Sequence, residues 1–262
     1  MEEQSLKGKT KKAVALFAAA CLTIIVCAAY LNASGKYSVY TYATAKKKLP
    51  IYSVERTDNK ISISFDCAWG TEYTDEILRT LEMYNVKCTF FAVQFWVEKY
   101  PDYCKKITAA GHGLETHSKG KLSPDSERSK LSQEEIKAEL LSSKEAIEEI
   151  TGKTVTLFRP PFGDYNDKVI SGAEDAGLYP IQWDVDSLDW KDLSAKDIAA
   201  RVIKRVKSGS IILMHNNGLH TAESLPLIFG PLIANGYEFV RIDDLIYKDN
   251  YEILRDGRQR TK

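Results

Sequence analysis

The chain of 262 residues is 44% hydrophobic and 10% aromatic, too apolar for a disordered segment. Thirty-six Lys and Arg balance thirty-six Asp and Glu, so the basic excess of a nucleic-acid binder is missing and no nucleic-acid partner is expected. Five cysteines without a Cys-x-x-Cys pair exclude a disulfide scaffold and a zinc ribbon.

The N-terminus reads as an appendage. Residues 1–12 carry Lys7, Lys9, Lys11 and Lys12 and form a basic segment expected in the cytoplasm. Residues 13–31 are apolar apart from Thr23. At about 1.5 Å per residue they reach roughly 28 Å, the thickness of a hydrocarbon core, and are expected to be a transmembrane signal anchor. The domain then lies outside the cell membrane on a single-pass helix. Cys27-Ala28-Ala29 leaves signal cleavage, and hence secretion, open. Residues 32–57 read as a linker and leading strand, 58–248 as the main domain and 249–262 as a C-terminal tail. Cys67, Cys88 and Cys104 fall in that domain, Cys88 within an apolar run as a small core side chain.

From there apolar runs alternate with helical stretches. The runs are 61–66, 88–93, 113–117, 155–159, 179–184, 210–215 and 237–242. Helices are expected near 74–85, 95–110, 132–151, 166–177, 195–207 and 222–235. Ser132 with Glu135 forms a capping box, and Gly152 a C-cap. Seven short strands alternating with helices argue for parallel βα units. The expected architecture is α/β, a distorted (β/α) barrel of about seven parallel strands, with an open doubly wound sheet as the alternative.

Ionisable residues close several of these runs: Asp66, His117, Arg159, Asp184 with Asp186 beyond it, and His215. In parallel βα folds the strand C-termini share one face, where active sites lie. Charges at the ends of buried strands are costly unless they pair. Two His, several Asp and one Arg on one rim suit acid–base or metal-assisted chemistry.

The spelling is more specific. Ser64-Phe65-Asp66, His117-Ser118, Arg159-Pro160-Pro161-Phe162-Gly163, Asp186-Ser187-Leu188-Asp189-Trp190 and Leu213-Met214-His215 follow in order. Over roughly residues 58–248 the chain resembles the polysaccharide deacetylase (NodB-homology) family, carbohydrate esterase family four. Its Phe-Asp-x-x-Trp-Gly spelling resembles a branch seen in spore-forming Firmicutes. The resemblance implies removal of N-acetyl groups from chitin-like or peptidoglycan sugars with a bound divalent metal, usually zinc. It implies Asp66 as general base, Arg159 as its clamp and His215 as general acid. Asp189, or alternatively Asp186, would hold the imidazole protonated. Trp190 and Leu213 would wall the acetyl pocket, and the backbone N–H of Phe162 would be an oxyanion donor.

The implied Asp-His-His metal set meets a different spelling here. Cys67 stands at the first position, His117 at the second, and Lys121 (or Ser123 in a shifted register) at the third. Cys67 as thiolate could add a ligand, whereas protonated Lys121 repels a cation. His112 reads as structural and His220 as a loop histidine. Two functions stand side by side: an N-deacetylase acting on a cell-wall glycan, and a non-catalytic relative that binds glycan or a partner in the same groove. A third, minor reading has Lys121 supplying the charge of the metal.

Overall fold

The computed structural model describes residue 22, residues 47–119 and residues 131–262. The expected anchor at 13–31, apart from residue 22, lies outside them, as do Lys121 and Ser123. Among the described residues no helix is long and apolar enough to cross a membrane. The chain divides into residues 1–46 and 47–262, and the elements given below belong to the second unit.

Eight strands build the main sheet: β2 (Lys60–Cys67), β3 (Thr89–Ala92), β4 (Gly113–Thr116), β5 (Leu157–Phe158), β6 (Tyr179–Pro180), β7 (Val185–Asp186), β8 (Ile211–His215) and β9 (Glu238–Phe239). The order is β6-β5-β4-β3-β2-β8-β7, and β9 joins the first two residues of β2. Every pairing in this sheet is parallel. The single run expected at 179–184 opens as β6 beside β5 and resumes as β7 beside β8, so both edges of the path arise from one short stretch of chain. The result is a parallel-strand α/β half-barrel of seven runs, not an open doubly wound sheet.

Helices cover the outside: α1 (Thr74–Met83), α2 (Gln94–Lys99), α3 (Pro101–Ala109), α4 (Gln133–Thr151), α5 (Asp167–Asp175), α6 (Ala195–Arg205), α7 (Thr221–Ala234) and the short α8 (Ile242–Leu245). The helix expected at 95–110 is two. Pro101 lacks an N–H and drives Tyr100 out of helical geometry, to φ −127 and ψ 54. The capping box on α4 is present, with Ser132 Oγ accepting from Glu135 N–H and the Glu135 carboxylate accepting from Ser132 N–H. Gly152 ends that helix in the left-handed region.

Residues 249–262 form a hairpin, β10 (Tyr251–Ile253) with β11 (Arg258–Thr261). It pairs with β1 (Ser53–Val54) in a separate three-stranded sheet.

The period of two along β2 divides the interior. Ile61, Ile63, Phe65 and Cys67 enter the core between sheet and helices, with Phe90, Trp96 and Met214. Ser62, Ser64 and Asp66 alternate onto the other face. That inner face holds a smaller cluster with Phe91, Leu157, Ile181 and Ile211 near the base of the strands. Full burial of each large apolar side chain contributes about 1.5–3 kcal/mol, so the outer core carries most of the stability and leaves the inner rim open to polar groups.

Candidate active site

Asp66 and His215 are register partners on β2 and β8. Adjacent strands lie about 4.8 Å apart and paired residues share a face, so the carboxylate and the imidazole stand side by side. Each has its own partner. Arg159, on the residue after β5, donates from Nη1 to Asp66 Oδ1 at 2.8 Å. Its guanidinium lies 4.1 Å from the Phe91 ring centroid and 5.6 Å from that of Trp183. A second donor, Nη2, reaches the Gln182 carbonyl at 3.3 Å. Arg159 is fully buried, and its Nε has no partner among the described residues.

Burial alone would raise the pKa of Asp66. The facing His117, Arg159 and His215 outweigh that and hold it below the ordinary carboxylate value, so it is ionised at neutral pH. Burial also pulls the Arg159 guanidinium down, but arginine starts so high that it stays charged.

At the second partner, His215 Nδ1 meets Asp189 Oδ1 at 2.7 Å. The other Asp189 oxygen accepts from the His215 backbone N–H at 2.8 Å and from Thr221 Oγ1 at 2.6 Å. Asp189 has no exposed surface. Burial would lower the pKa of His215, yet the Asp189 hydrogen bond and the charges of Asp189, Asp66 and Asp186 raise it. Of the two carboxylates the sequence left open, Asp189 therefore partners the imidazole, while Asp186 accepts from Leu188 N–H at 2.9 Å.

His117 belongs to the same rim. Its Nδ1–H donates to the Arg159 carbonyl at 2.8 Å, and Nε2 faces Asp66 Oδ2 at 3.5 Å. Leu213 is buried two residues before His215, in register with Ser64 and Asp186. Phe162 sits at the tip of the Pro160–Gly163 turn with φ 60 and ψ 9, its ring exposed. Trp190 is exposed beside Lys191, whose Nζ lies 4.9 Å from its ring centroid.

Asp184 does not join the rim. Its carboxylate accepts from Ile211 N–H and Ser210 Oγ at the opposite end of β8. His220 pairs with Glu223 at 3.1 Å. His112 is buried beside Cys88, and its pKa is lowered to about 4 by burial. Thr221, Trp183 and Phe91, which complete the two charge pairs, carry no sequence signal of their own.

A family profile for polysaccharide deacetylase matches residues 53–181. The peptidoglycan-N-acetylglucosamine deacetylase PgdA of Listeria monocytogenes serotype 1/2a is 34% identical over 220 residues, covering 84% of this chain and 46% of that protein. A peptidoglycan-N-acetylglucosamine deacetylase of Bacillus cereus is 32% identical over 200 residues, covering 74% of this chain and 92% of that protein. The chain belongs to the polysaccharide deacetylase family. It spans about half the length of the Listeria relative.

Among solved structures, the wild-type CE4 family pseudoenzyme of Bacillus anthracis matches with a TM-score of 0.71 at 30% identity, covering 81% of this chain and 73% of that one. A mutant of that pseudoenzyme is described as having restored enzymatic activity. A family 4 acetyl xylan esterase of Clostridium thermocellum, TM-score 0.64 at 28% identity, covers 71% of this chain and 89% of that one and holds a cobalt ion.

A polysaccharide deacetylase is thus expected to hold a divalent metal, and a catalytic metal takes three protein ligands and one open position. Among the described residues no three His, Cys, Asp or Glu side chains are grouped to hold one. His117 is dressed as a ligand would be, its second nitrogen fixed by a carbonyl. Cys67 is not beside it. The thiol lies in the outer core, 3.8 Å from the Phe65 carbonyl, with no exposed surface, and burial pushes its pKa well up. The described donor set does not fit a catalytic metal.

Proposed function

We propose that the chain is a polysaccharide deacetylase-like protein whose rim takes an N-acetylated cell-wall glycan and cleaves its acetamide bond. The observation that carries this reading is the side-by-side placement of Asp66 and His215, each held by its own buried partner. The ionised Asp66 takes a proton from the attacking water, and Arg159 keeps it oriented. His215, charged by Asp189, gives a proton to the leaving amine. The Phe162 N–H is the oxyanion donor, and Leu213 and Trp190 receive the acetyl methyl. No step is routed through a metal.

The test is acetate release by the full chain from N-acetylglucosamine oligomers, with and without Asp66→Asn. Release that disappears in the variant supports the reading, and equal release from both proteins contradicts it. A second reading, a non-catalytic glycan binder, is favoured by the placement of Cys67 in the outer core. Its signature is oligomer binding without acetate release, whatever zinc is added. The surface anchoring expected of residues 13–31 belongs to the same proposal. A full-length chain that fractionates with membranes supports it, and a soluble form starting near Tyr30 contradicts it.

A further inference from the structure

Trp69 and Gly70, the end of the Phe-Asp-x-x-Trp-Gly spelling, have no part in the acid–base chemistry. The loop that carries them, just beyond β2, is nonetheless tightly tied. The Gly70 carbonyl accepts from two buried donors, Trp96 Nε1 at 2.8 Å and Asn216 Nδ2 at 3.0 Å. Asn216 is the residue after His215, and its own N–H donates to the Asp66 carbonyl at 3.2 Å. Gly70 has φ +59, in the left-handed region that favours glycine.

On this fixed backbone the Trp69 ring is left 67% exposed, while Trp96, which helps to hold the loop, is fully buried. Phe95, the residue before Trp96 on α2, lies with its ring centroid 5.2 Å from that of Trp69 and its plane tilted by 48°. Phe95 is half-buried against the outer core, so Trp69 alone presents an open aromatic face, backed by a packed ring on a tied loop, which is a surface suited to an apolar ligand face. Its place in the fold identifies what it binds. Across the rim the order β3-β2-β8-β7 puts Trp69 and Phe95 beyond β2 and β3, Asp66 and His215 in the middle, and exposed Trp190 beyond β7. The loop that leaves the strand of Asp66 therefore carries Trp69, and Trp190 follows the strand on the far side of His215.

We infer that Trp69 and Phe95 form a sugar-binding subsite for a neighbouring residue of the glycan chain, so that the groove selects oligosaccharides over single sugars. A pyranose ring offers an apolar C–H face that packs on an aromatic ring, with its hydroxyls left at the wet edge. The inference rests on the proposed glycan-binding function. The Gly70 ties set the ring in place before binding, which spares the entropy of ordering the loop.

The experiment is calorimetric titration of the full chain with N-acetylglucosamine oligomers of increasing length. Wild type is compared with Trp69→Ala, Phe95→Ala and Trp69→Phe. Wild-type affinity rises with length; Trp69→Ala loses roughly tenfold on the longer oligomers and little on the shortest, and Trp69→Phe keeps most of the gain. Thermal unfolding of Trp69→Ala matches wild type, because the ring is solvent-facing. Oligomers that bind wild type and both alanine variants equally overturn the subsite and leave the proposed function standing. A lowered melting temperature with unchanged affinities marks the ring as structural and also overturns it. If no oligomer binds any of the proteins, the proposed function fails and the subsite with it.

Discussion

Asp66 and Cys67 are neighbours on one strand, yet they belong to regions built on opposite terms. Asp66 faces the rim, where Arg159, His117 and His215 hold a buried carboxylate ionised. Cys67 faces the helices, in a core with Cys88, Cys104 and Trp96 where burial holds the thiol protonated. Both sites are nearly closed to solvent, so exposure does not separate them; the presence of paired charge does. A buried carboxylate is tolerable only while its partner is present, whereas the outer core accepts no charge at all. The paired charges proposed for acid–base chemistry thus stand on one face of β2, and the residue next to Asp66 packs on the other.

The largest effect expected from breaking this contrast is Arg159→Met, which takes from the buried Asp66 its hydrogen-bonded cation and leaves only the facing His117 and His215. A loss of about 3–5 kcal/mol in urea-induced unfolding is expected, and unchanged stability would mean that the pair does not carry the rim. Next is Cys67→Asp without metal. Placing a carboxyl among Cys88, Cys104 and Trp96 should cost about 2–4 kcal/mol in the same measurement; a neutral result would show that position 67 can turn to the rim.

Asp189→Asn is smaller, about 1–2 kcal/mol, and depends on pH. The folded pKa of His215 is raised, so the stability from its pair is complete below the ordinary histidine value. That contribution fades as pH rises through the folded value. The gap between wild type and variant should close with rising pH, and a gap that widens would contradict the assignment. The smallest effect belongs to His112. Its folded pKa of about 4 lies below the ordinary 6.5, so the unfolded chain takes up a proton first and stability falls as pH drops from about 6.5 towards 4. His112→Gln should remove about 1 kcal/mol of that acid sensitivity at pH 6, and an unchanged pH slope would contradict it.

Much of this was legible in the sequence because the signals are periodic. All seven apolar runs appear in the sheet, and Asp66, His117, Arg159 and His215 meet because parallel strands end on one face. Ionisable residues at strand ends are not a sufficient sign, however. Asp184 closes an apolar run but serves the start of β8, since the run breaks between β6 and β7 and its middle pairs elsewhere. The direction of Cys67 was readable too, because Ile61, Ile63, Phe65 and Cys67 alternate with Ser62, Ser64 and Asp66 along Lys60–Cys67. Thr221 beside Asp189, and Phe91 and Trp183 around Arg159, depend on contacts between distant segments that no local pattern encodes.

The central claim is that the Asp66–His215 pair proposed for acid–base chemistry stands beside a set of metal donors that is incomplete among the described residues. Zinc titration of the full chain by calorimetry, against the double variant Cys67→Asp with Lys121→His, tests it most directly. The account predicts weak binding by wild type and little gain in the double variant, because position 67 faces the outer core and His117 lies on the rim. Tight zinc binding by the unaltered chain, with a full tetrahedral shell, would contradict it.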